Sequence, residues 1–234
     1  MSLHGFFDLI GVSRHTVNSS EKVISALGGF LGILGILLSS QWLLDPDIAL
    51  MIVPSMGASA VLLFAAPHAP FSQPWNVIGG HGLSAIIGVA CWQWIPDFTV
   101  AASASVGLAI GVMYFARCIH PPGGATALAA AIGSEKLHDL GYAFVYEPIL
   151  LNAVVILLIA IVFNGLFRWR RYPAQLHVRD KVVTPGIQGY APIKHEDFVY
   201  ALSHIDTFVD ISEEDLLAIY ELATRRHVES SAAP

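Results

Sequence analysis

Charged side chains are almost absent from residues 23–134, and this absence constrains the fold more than any other feature of the chain. The stretch contains only Asp45, Asp47, Asp97 and Arg117. Of all 234 residues, 13% are charged and 55% hydrophobic, whereas soluble domains carry about 25% charged residues. We therefore expect an integral membrane protein whose surroundings are the lipid bilayer. The net charge of −6 argues against a basic nucleic-acid-binding surface.

Apolar segments of nearly membrane-spanning length follow one another along the chain. A helix needs about 20 residues to cross roughly 30 Å of hydrocarbon. Five segments qualify or come close: 23–44, 48–65, 77–95, 98–116 and 148–167. A sixth, 118–133, is shorter and is interrupted near its start by two prolines. Prolines between 66 and 76 separate the second segment from the third, because proline lacks a backbone N–H and disfavours helix in the residue before it.

Positive charges flank both ends of this apolar region. Arg14 and Lys22 precede the first segment, and Arg168, Arg170 and Arg171 follow the last one. Lys and Arg near membrane segments mark the cytoplasmic side, so both termini are predicted to be cytoplasmic, in a bacterial inner or plasma membrane. An even number of crossings then fits either six membrane segments or four spans with two re-entrant segments.

The two ends of the chain differ from the apolar region. Residues 1–22 are expected to form an N-terminal cytoplasmic segment before the transmembrane domain at 23–171. Residues 172–234 are predicted to be a small soluble cytoplasmic tail. Two amphipathic helices are expected in that tail, near 196–208 and 213–227.

A nine-residue motif occurs twice. "PSMGASAVL" at 54–62 aligns without gaps with "PPGGATALA" at 121–129, and the shared pattern is P-x-x-G-A-[ST]-A-[VL]. Each copy lies between two apolar segments. We therefore predict an all-α polytopic fold of two repeats, about 23–95 and 98–167, each made of a segment, a broken helix and a segment. Interrupted segments in corresponding halves are the best sequence indicator of a transporter's binding site.

The proline that opens each motif predicts a helix that begins inside the membrane. Such a helix start leaves N–H groups without intrahelical partners, and the positive end of the helix dipole adds to their attraction for anions. Both helix starts are therefore expected to bind a small inorganic anion. The candidate substrate-binding residues are Pro54, Ser55, Gly57, Ala58 and Ser59 in the first copy and Pro121, Gly123, Gly124, Ala125 and Thr126 in the second.

Four further polar residues complete the candidate binding site: Asn76, His81, Arg117 and His120. Ionisable side chains in membrane segments indicate a functional site, because they are costly to place there. Arg117 lies three residues before His120, and the histidines are able to donate to an anion or pass on a proton.

These residues resemble a known family. "HPPGGATAL", preceded by "PSMGASAVLLFAAPHAPFSQPWNVIGGHGLSAIIGV", is similar to the HPP family of integral membrane proteins, named for its His-Pro-Pro motif, over roughly residues 20–170. The resemblance implies a bundle of four transmembrane helices and, from plant and cyanobacterial members, nitrite transport. Some bacterial members carry C-terminal CBS domains. Residues 172–234 are too short for a pair of them, so nucleotide regulation is not implied.

The favoured function is a transporter or channel for a small inorganic anion, and nitrite is the specific expectation. Three alternatives remain. A regulatory or scaffold membrane protein would leave the paired motif unexplained. A metal-ion transporter would use His68, His81 and His120, although no two of them are four residues apart. An intramembrane serine hydrolase would use Ser59 with a histidine base. We expect no enzyme activity, no cofactor and no metal site, and we expect a homo-oligomer.

Overall fold

The computed structural model describes residues 18–43 and 46–176 and four single tail residues, Tyr200, Leu216, Ile219 and Tyr220. Its helices are α1 Ser19–Leu43, α2 Pro46–Ala65, α3 Pro74–Trp94, α4 Phe98–Phe115, α5 Pro121–Ile132, α6 Glu135–Asp139 and α7 Leu151–Gly165. A π-helical segment, Val145–Leu150, runs directly into α7. Short 3₁₀ turns occupy Pro70–Ser72, Arg168–Arg170 and Ala174–Leu176.

The predicted all-α class is confirmed for this described part of the chain. Most of the predicted N-terminal segment 1–22 lies outside the described residues. The same holds for the predicted tail helices near 196–208 and 213–227, apart from the four single residues. Those four are helical.

Prolines define where three of the helices begin. Pro46, Pro74 and Pro121 are the first residues of α2, α3 and α5. Proline suits this position because its missing N–H would have no intrahelical partner there and its φ is already helical. Helix α4 begins instead behind Asp97, whose carboxylate accepts a hydrogen bond from the backbone N–H of Val100 at 2.8 Å. This side-chain cap replaces one of the bonds missing at the helix start.

Three helices of the described chain are long and apolar enough to cross a membrane, by length and composition. They are Ser19–Gln41, Phe98–Phe115 and Val145–Gly165. The predicted segments 48–65 and 77–95 are also helical, as α2 and α3. Helix α5 has only 12 residues and is about 18 Å long at 1.5 Å per residue, which is too short to span. The six-segment arrangement and the internal repeat stay predictions.

The helices pack in two groups. The first helix group is α1, α2 and α7, and its core contains Ile36, Leu63 and Ile156, one from each helix. The second helix group is α3, α4 and α5, and in its core Ala109 and Ala127 are fully buried. Helix α2 contacts α5, and α3 contacts α7 and the π-helical segment, which joins the groups. The third helix of each predicted repeat unit thus packs against the first two helices of the other unit.

The prediction that a helix begins at Pro54 is wrong. Helix α2 continues through Pro54, which lies inside it and is exposed. An exposed position limits the damage, because the proline ring and the missing hydrogen bond disturb only the outer side of the helix. The N–H groups of Gly57, Ala58 and Ser59 are therefore interior helical groups, which bond carbonyls four residues earlier. They do not form a helix-start anion site.

A buried arginine, Arg170, bonds residues at the ends of three helices. Arg170 is 1% exposed, and its guanidinium pairs with the carboxylate of Glu21 on α1. It also donates to the carbonyl of Phe64 on α2 and to the side-chain oxygen of Asn164 on α7, the latter at 3.1 and 3.2 Å. The indole N–H of Trp169 donates to Glu21 at 3.1 Å. Arg170, which the sequence presents only as a marker of membrane orientation, has a structural role in the first helix group.

Candidate functional site

A hydroxyl group lies between two imidazole rings where the two helix groups meet. Ser59 projects from α2, His81 from α3, and His120 is the residue immediately before α5. The Ser59 Oγ lies 2.8 Å from Nε2 of His81 and 2.8 Å from Nε2 of His120. The two ring centroids are 4.9 Å apart in an edge-to-face arrangement. One serine oxygen therefore links both histidines.

The far nitrogen of each ring also has a partner. Nδ1 of His81 lies 2.7 Å from Oγ1 of Thr126 on α5. Nδ1 of His120 lies 2.8 Å from the backbone carbonyl oxygen of Phe71, in the connection between α2 and α3. The result is a continuous hydrogen-bonded row, Thr126–His81–Ser59–His120–Phe71, and we call its four side chains the histidine row.

The four side chains of the histidine row are fully buried, each with 0% of its surface exposed. A buried polar group without a hydrogen bond costs on the order of 1–3 kcal/mol, and here every ring nitrogen and both hydroxyls are bonded. In the described part of the chain, no hydrogen bond of the row involves a charged side chain. The site is thus a polar centre enclosed by apolar helices, with no charged hydrogen-bond partner among the described residues.

Glycines allow the His-Pro-Pro segment to lie directly on α3. A Cβ atom on Gly80 would be 2.4 Å from Cβ of His120, and one on Gly123 would be 2.8 Å from the carbonyl oxygen of Gly80. No side chain fits at either position without movement of the backbone or of His120. This close approach is what brings the His120 ring within hydrogen-bonding distance of a serine on α2.

The extended residues before α5 are also held by hydrogen bonds from α3. The side-chain amide of Asn76 donates to the carbonyl of Ile119 at 2.8 Å, and the indole N–H of Trp75 donates to the carbonyl of Ala116 at 3.1 Å. Between these points Arg117 takes a left-handed conformation with φ 53°. Asn76 therefore positions the residue next to His120 and makes no side-chain hydrogen bond to the histidine row.

The start of α5 offers fewer donors than the sequence suggests. Helix α5 begins at Pro121 with His120 as its N-cap residue, as expected for the second copy of the motif. Neither Pro121 nor Pro122 has an N–H group, and the N–H of Gly123 donates to the carbonyl of His120 at 2.8 Å. Two donors are thus missing and the next is bonded within the protein. The expected role of Gly123 as an anion donor is wrong for this reason.

The two copies of the repeated motif bury corresponding positions. In both, the first proline, the alanine after the glycine and the last branched residue are exposed: Pro54, Ala58 and Val61, and Pro121, Ala125 and Leu128. The hydroxyl residue is buried in both, as Ser59 and Thr126. These two hydroxyls bond the two different nitrogens of His81. Each also lies near the carbonyl four residues earlier, at 3.2 Å for Ser59 and 3.4 Å for Thr126.

The structure divides the fourteen predicted binding residues into three sets. Four of them meet in the histidine row. Four others lie on the helices around it: Ser55, which donates to the Ile52 carbonyl at 2.9 Å, and Asn76, Gly123 and Gly124. The rest lie on outward faces or at the turn after α4. These are Pro54, Gly57, Ala58, Arg117, Pro121 and Ala125, of which Gly57 is half-buried and the others are exposed.

One member of the site, the backbone carbonyl of Phe71, could not be predicted from side-chain types. The carbonyl of Phe71 accepts from His120, and the 66–73 connection that carries it is held by Ser72. Ser72 donates to the carbonyls of Leu62 and Ala66 at 3.1 and 2.8 Å, and its own carbonyl accepts from Tyr172 at 2.6 Å. Three prolines between residues 66 and 76 indicated a break in helix. Nothing in the residue types indicated that a backbone oxygen would face a histidine.

Comparison with known proteins identifies related sequences. The family model described as "HPP, transmembrane region" matches residues 14–173. "Transmembrane protein DDB_G0269096" of Dictyostelium discoideum is 41% identical over 152 residues, which is 63% of this chain and 53% of the relative. "Transmembrane protein DDB_G0273707/DDB_G0273361" of the same organism is 37% identical over 153 residues, 64% of this chain and 49% of the relative. The chain therefore spans about half the length of these relatives. No solved structure matches it.

Proposed function

This chain belongs to the HPP family of transmembrane proteins, and on that premise we propose that it is a membrane transporter or channel for a small inorganic anion, with nitrite as the specific substrate. The observation that supports this proposal is the histidine row itself. Two imidazoles and two hydroxyls are fully buried among apolar helices, and ionisable groups at such positions in membrane proteins usually serve substrate or ion pathways.

The chemistry of the row suits an anion better than a metal cation. A cation needs carboxylate, thiolate or several neutral imidazole ligands. Among the described residues, no group of three or more His, Cys, Asp or Glu side chains is placed to hold a metal ion. Hydroxyl and imidazole N–H groups donate hydrogen bonds, and the two oxygens of nitrite accept them. We place the anion against Ser59, His81, His120 and Thr126 in preference to the helix starts.

Other predicted residues take supporting parts in this proposal. Asn76 and Gly123 position the segment that carries His120. Arg117 is exposed at the turn after α4. We assign it the role of attracting anions to the entrance, because a positive charge at the surface raises the local concentration of anions. In this proposal, the exposed faces of the two motif copies, with Pro54 and Pro121, contact lipid or a second copy of the chain in a homo-oligomer.

Orientation is proposed from charge alone. Basic residues on both sides of the apolar region favour cytoplasmic termini. The two Dictyostelium relatives lend no support to the expected bacterial membrane. A single cysteine introduced at Arg168, which is exposed, in a variant without native cysteines tests the orientation. A membrane-impermeant thiol reagent should label it only after the cells are opened, and labelling of intact cells would contradict a cytoplasmic C-terminus.

Nitrite flux into proteoliposomes is the direct test of the proposed function. Purified protein should transport nitrite faster than empty vesicles. Ser59→Ala and His120→Asn should each reduce that flux about tenfold or more, because each leaves a buried polar partner without its hydrogen bond. His68→Gln is the matched control, since His68 bonds the Arg171 carbonyl outside the histidine row. Equal flux in all four proteins, or none above empty vesicles, would refute the proposal.

A second function is favoured by one specific distance. Ser59 Oγ lies 2.8 Å from Nε2 of His120, whose Nδ1 faces an oxygen acceptor at 2.8 Å, which is the arrangement of a serine nucleophile with an oriented base. Ser59 also bonds His81 and is fully buried, which hinders attack on a substrate. Covalent labelling of wild-type protein, but not of Ser59→Ala, by a fluorophosphonate would favour this intramembrane hydrolase over a transporter.

A further inference from the structure

The carbonyl of Phe71 sets the direction of every hydrogen bond in the histidine row. A carbonyl oxygen only accepts, so Nδ1 of His120, 2.8 Å away, must carry a hydrogen. If His120 is neutral, its Nε2 then has no hydrogen and must accept. The donor to it is the hydroxyl of Ser59, 2.8 Å away. The first two bonds therefore point from Ser59 through His120 to Phe71.

The same reasoning assigns the rest of the row. The single hydrogen of Ser59 is used on His120, so Ser59 Oγ accepts from Nε2–H of His81 at 2.8 Å. Neutral His81 then has a bare Nδ1, which accepts from the hydroxyl of Thr126 at 2.7 Å. All four hydrogens point toward Phe71. His81 and His120 are thereby assigned opposite tautomers, with hydrogen on Nε2 of His81 and on Nδ1 of His120.

A fifth hydrogen reverses this order. If hydronium gives a proton to the Thr126 oxygen, the former hydroxyl hydrogen of Thr126 passes to Nδ1 of His81. The hydrogen on Nε2 of His81 passes to Ser59, and the hydrogen of Ser59 passes to Nε2 of His120. Nε2 of His120 then donates to Ser59, the Ser59 hydroxyl donates to the bare Nε2 of His81, and Nδ1 of His81 donates to Thr126. The new hydroxyl hydrogen of Thr126 points to the Pro122 carbonyl, 3.4 Å away. The row then holds five hydrogens in place of four and carries one additional positive charge. Every ring nitrogen and hydroxyl group of the row still has a hydrogen-bond partner.

We propose that Ser59, His81, His120 and Thr126 form a binding site and relay for a single proton, in which protonation of His120 switches the tautomer of His81 without adding a proton to it. The proposal deepens the proposed transport function by naming a co-substrate, because a protonated row balances the charge of one bound nitrite. Intramembrane histidine chains serve as proton relays elsewhere, and hydrogen bonds in such rows strengthen one another.

Few other titratable groups face the row. Helices α3, α4 and α5 contain no Asp, Glu, Lys or Arg. The one acidic residue of α2 is Asp47, whose position in the helix is twelve residues before Ser59 and so about 18 Å away along the helix axis. The thiol of Cys118 lies against Gly79, and the phenol of Tyr172 bonds the carbonyl of Ser72 beside Phe71. Neither group hydrogen-bonds to the row. The π-helical segment, which contacts α3, carries Tyr146 and Glu147, and both are exposed. The two histidines are therefore the titrating pair among the described residues of the row.

Nitrogen NMR of histidine-labelled protein in nanodiscs tests the relay without any anion. At neutral pH, His81 should show hydrogen on Nε2 and His120 on Nδ1. As the pH falls, His120 should become doubly protonated while the two nitrogen signals of His81 exchange character in the same titration step. Two neutral histidines of the same tautomer, or a His81 that gains its own proton in that step, would overturn the proposal.

Variants separate the relay from simple folding effects. Ser59→Ala should keep the titration of His120 and lose the coupled change at His81, since the hydroxyl between them is gone. Thr126→Ser should retain the coupled change and Thr126→Val should lose it. His68→Gln, outside the row, should leave both signals as in wild type. Coupling that persists in Ser59→Ala would contradict a relay through Ser59.

Transport measurements distinguish failure of the relay from failure of the proposed function. Nitrite added to one side of proteoliposomes should move protons in a one-to-one ratio above the passive leak of empty vesicles. Nitrite flux without proton movement would overturn the relay and leave the transporter standing. Coupled tautomers in the NMR experiment without nitrite flux would support the relay and remove nitrite as the substrate.

Discussion

Gly80→Ala is the sharpest single perturbation of the histidine row. The new Cβ would lie 2.4 Å from Cβ of His120 and 3.1 Å from the carbonyl oxygen of Cys118. Carbon atoms in contact are about 3.5–4.0 Å apart, so His120 or α3 must move by roughly 1.1–1.6 Å. Neither close atom is the end of a flexible side chain. The movement therefore falls on the backbone that holds the His120 ring.

The cost of this substitution follows from two terms. Overpacking of a well-filled interior costs about 1–3 kcal/mol. A shift of this size is also enough to carry the 2.8 Å bond between Ser59 and His120 beyond hydrogen-bonding range, which adds about 1–3 kcal/mol for buried groups left without partners. We expect the free energy of unfolding to fall by roughly 2–6 kcal/mol and nitrite flux to be lost.

Gly57→Ala is the matched control for this experiment. It lies on α2 two residues before Ser59, and a Cβ there meets nothing within 4 Å. Alanine is favoured over glycine in a helix interior by about 0.5–1 kcal/mol, so this variant should be slightly stabilised and fully active. Thermal unfolding in detergent and flux in proteoliposomes measure both. If Gly80→Ala has the same unfolding temperature and flux as Gly57→Ala, the close packing of His120 on α3 is refuted.

Three further outcomes are expected. Arg170→Gln should lower the free energy of unfolding by roughly 3 kcal/mol, because the carboxylate of Glu21 loses its partner, whereas the exposed Arg168→Gln should change it little; equal thermal unfolding of the two variants would contradict the structural role. Pro54→Ala should stabilise α2 by up to about 3 kcal/mol without loss of flux, since it restores a helical hydrogen bond, and a loss of flux would contradict a continuous α2. Burial raises the pKa of Tyr172, so the folded protein resists ionisation and loses stability as pH rises above the unfolded value of about 10; Tyr172→Phe should remove that part of the decline in unfolding temperature, and an unchanged alkaline profile would contradict it.

The helices were largely predictable because membrane segments are specified by local composition. Long apolar runs and proline positions predicted α1, α3, α4 and α7 to within a few residues. The same local reasoning failed at Pro54. A proline inside an apolar run has two outcomes, a helix start or a tolerated kink, and the choice depends on which side of the helix faces outward. That orientation is set by packing against α1, α5 and α7, which the sequence does not state.

The composition of the site was predicted better than its geometry. Ser59, His81, His120 and Thr126 were all among the candidates, but they were expected to surround an anion bound by backbone donors at two helix starts. Two features changed this. The prolines at 121 and 122 remove donors from the start of α5, which follows from their residue type. The close approach of Gly80 to His120 places a ring beside a serine 61 residues earlier in the chain, which depends on the tertiary structure.

The position of Ser59 connects the hydrogen-bond order to movement of the helices. Ser59 belongs to α2 in the first helix group, whereas His81 and Thr126 belong to α3 and α5 in the second. The bond between His81 and Thr126 therefore stays within one group, and both 2.8 Å bonds to Ser59 cross between the groups. Any separation of the groups must break the row at Ser59. In the proposed relay, a proton that reaches the row reverses the direction of those two hydrogen bonds. Protonation and movement of the helix groups therefore both act on the contacts of Ser59. A proton-coupled carrier with alternating access requires such a link between protonation and helix movement.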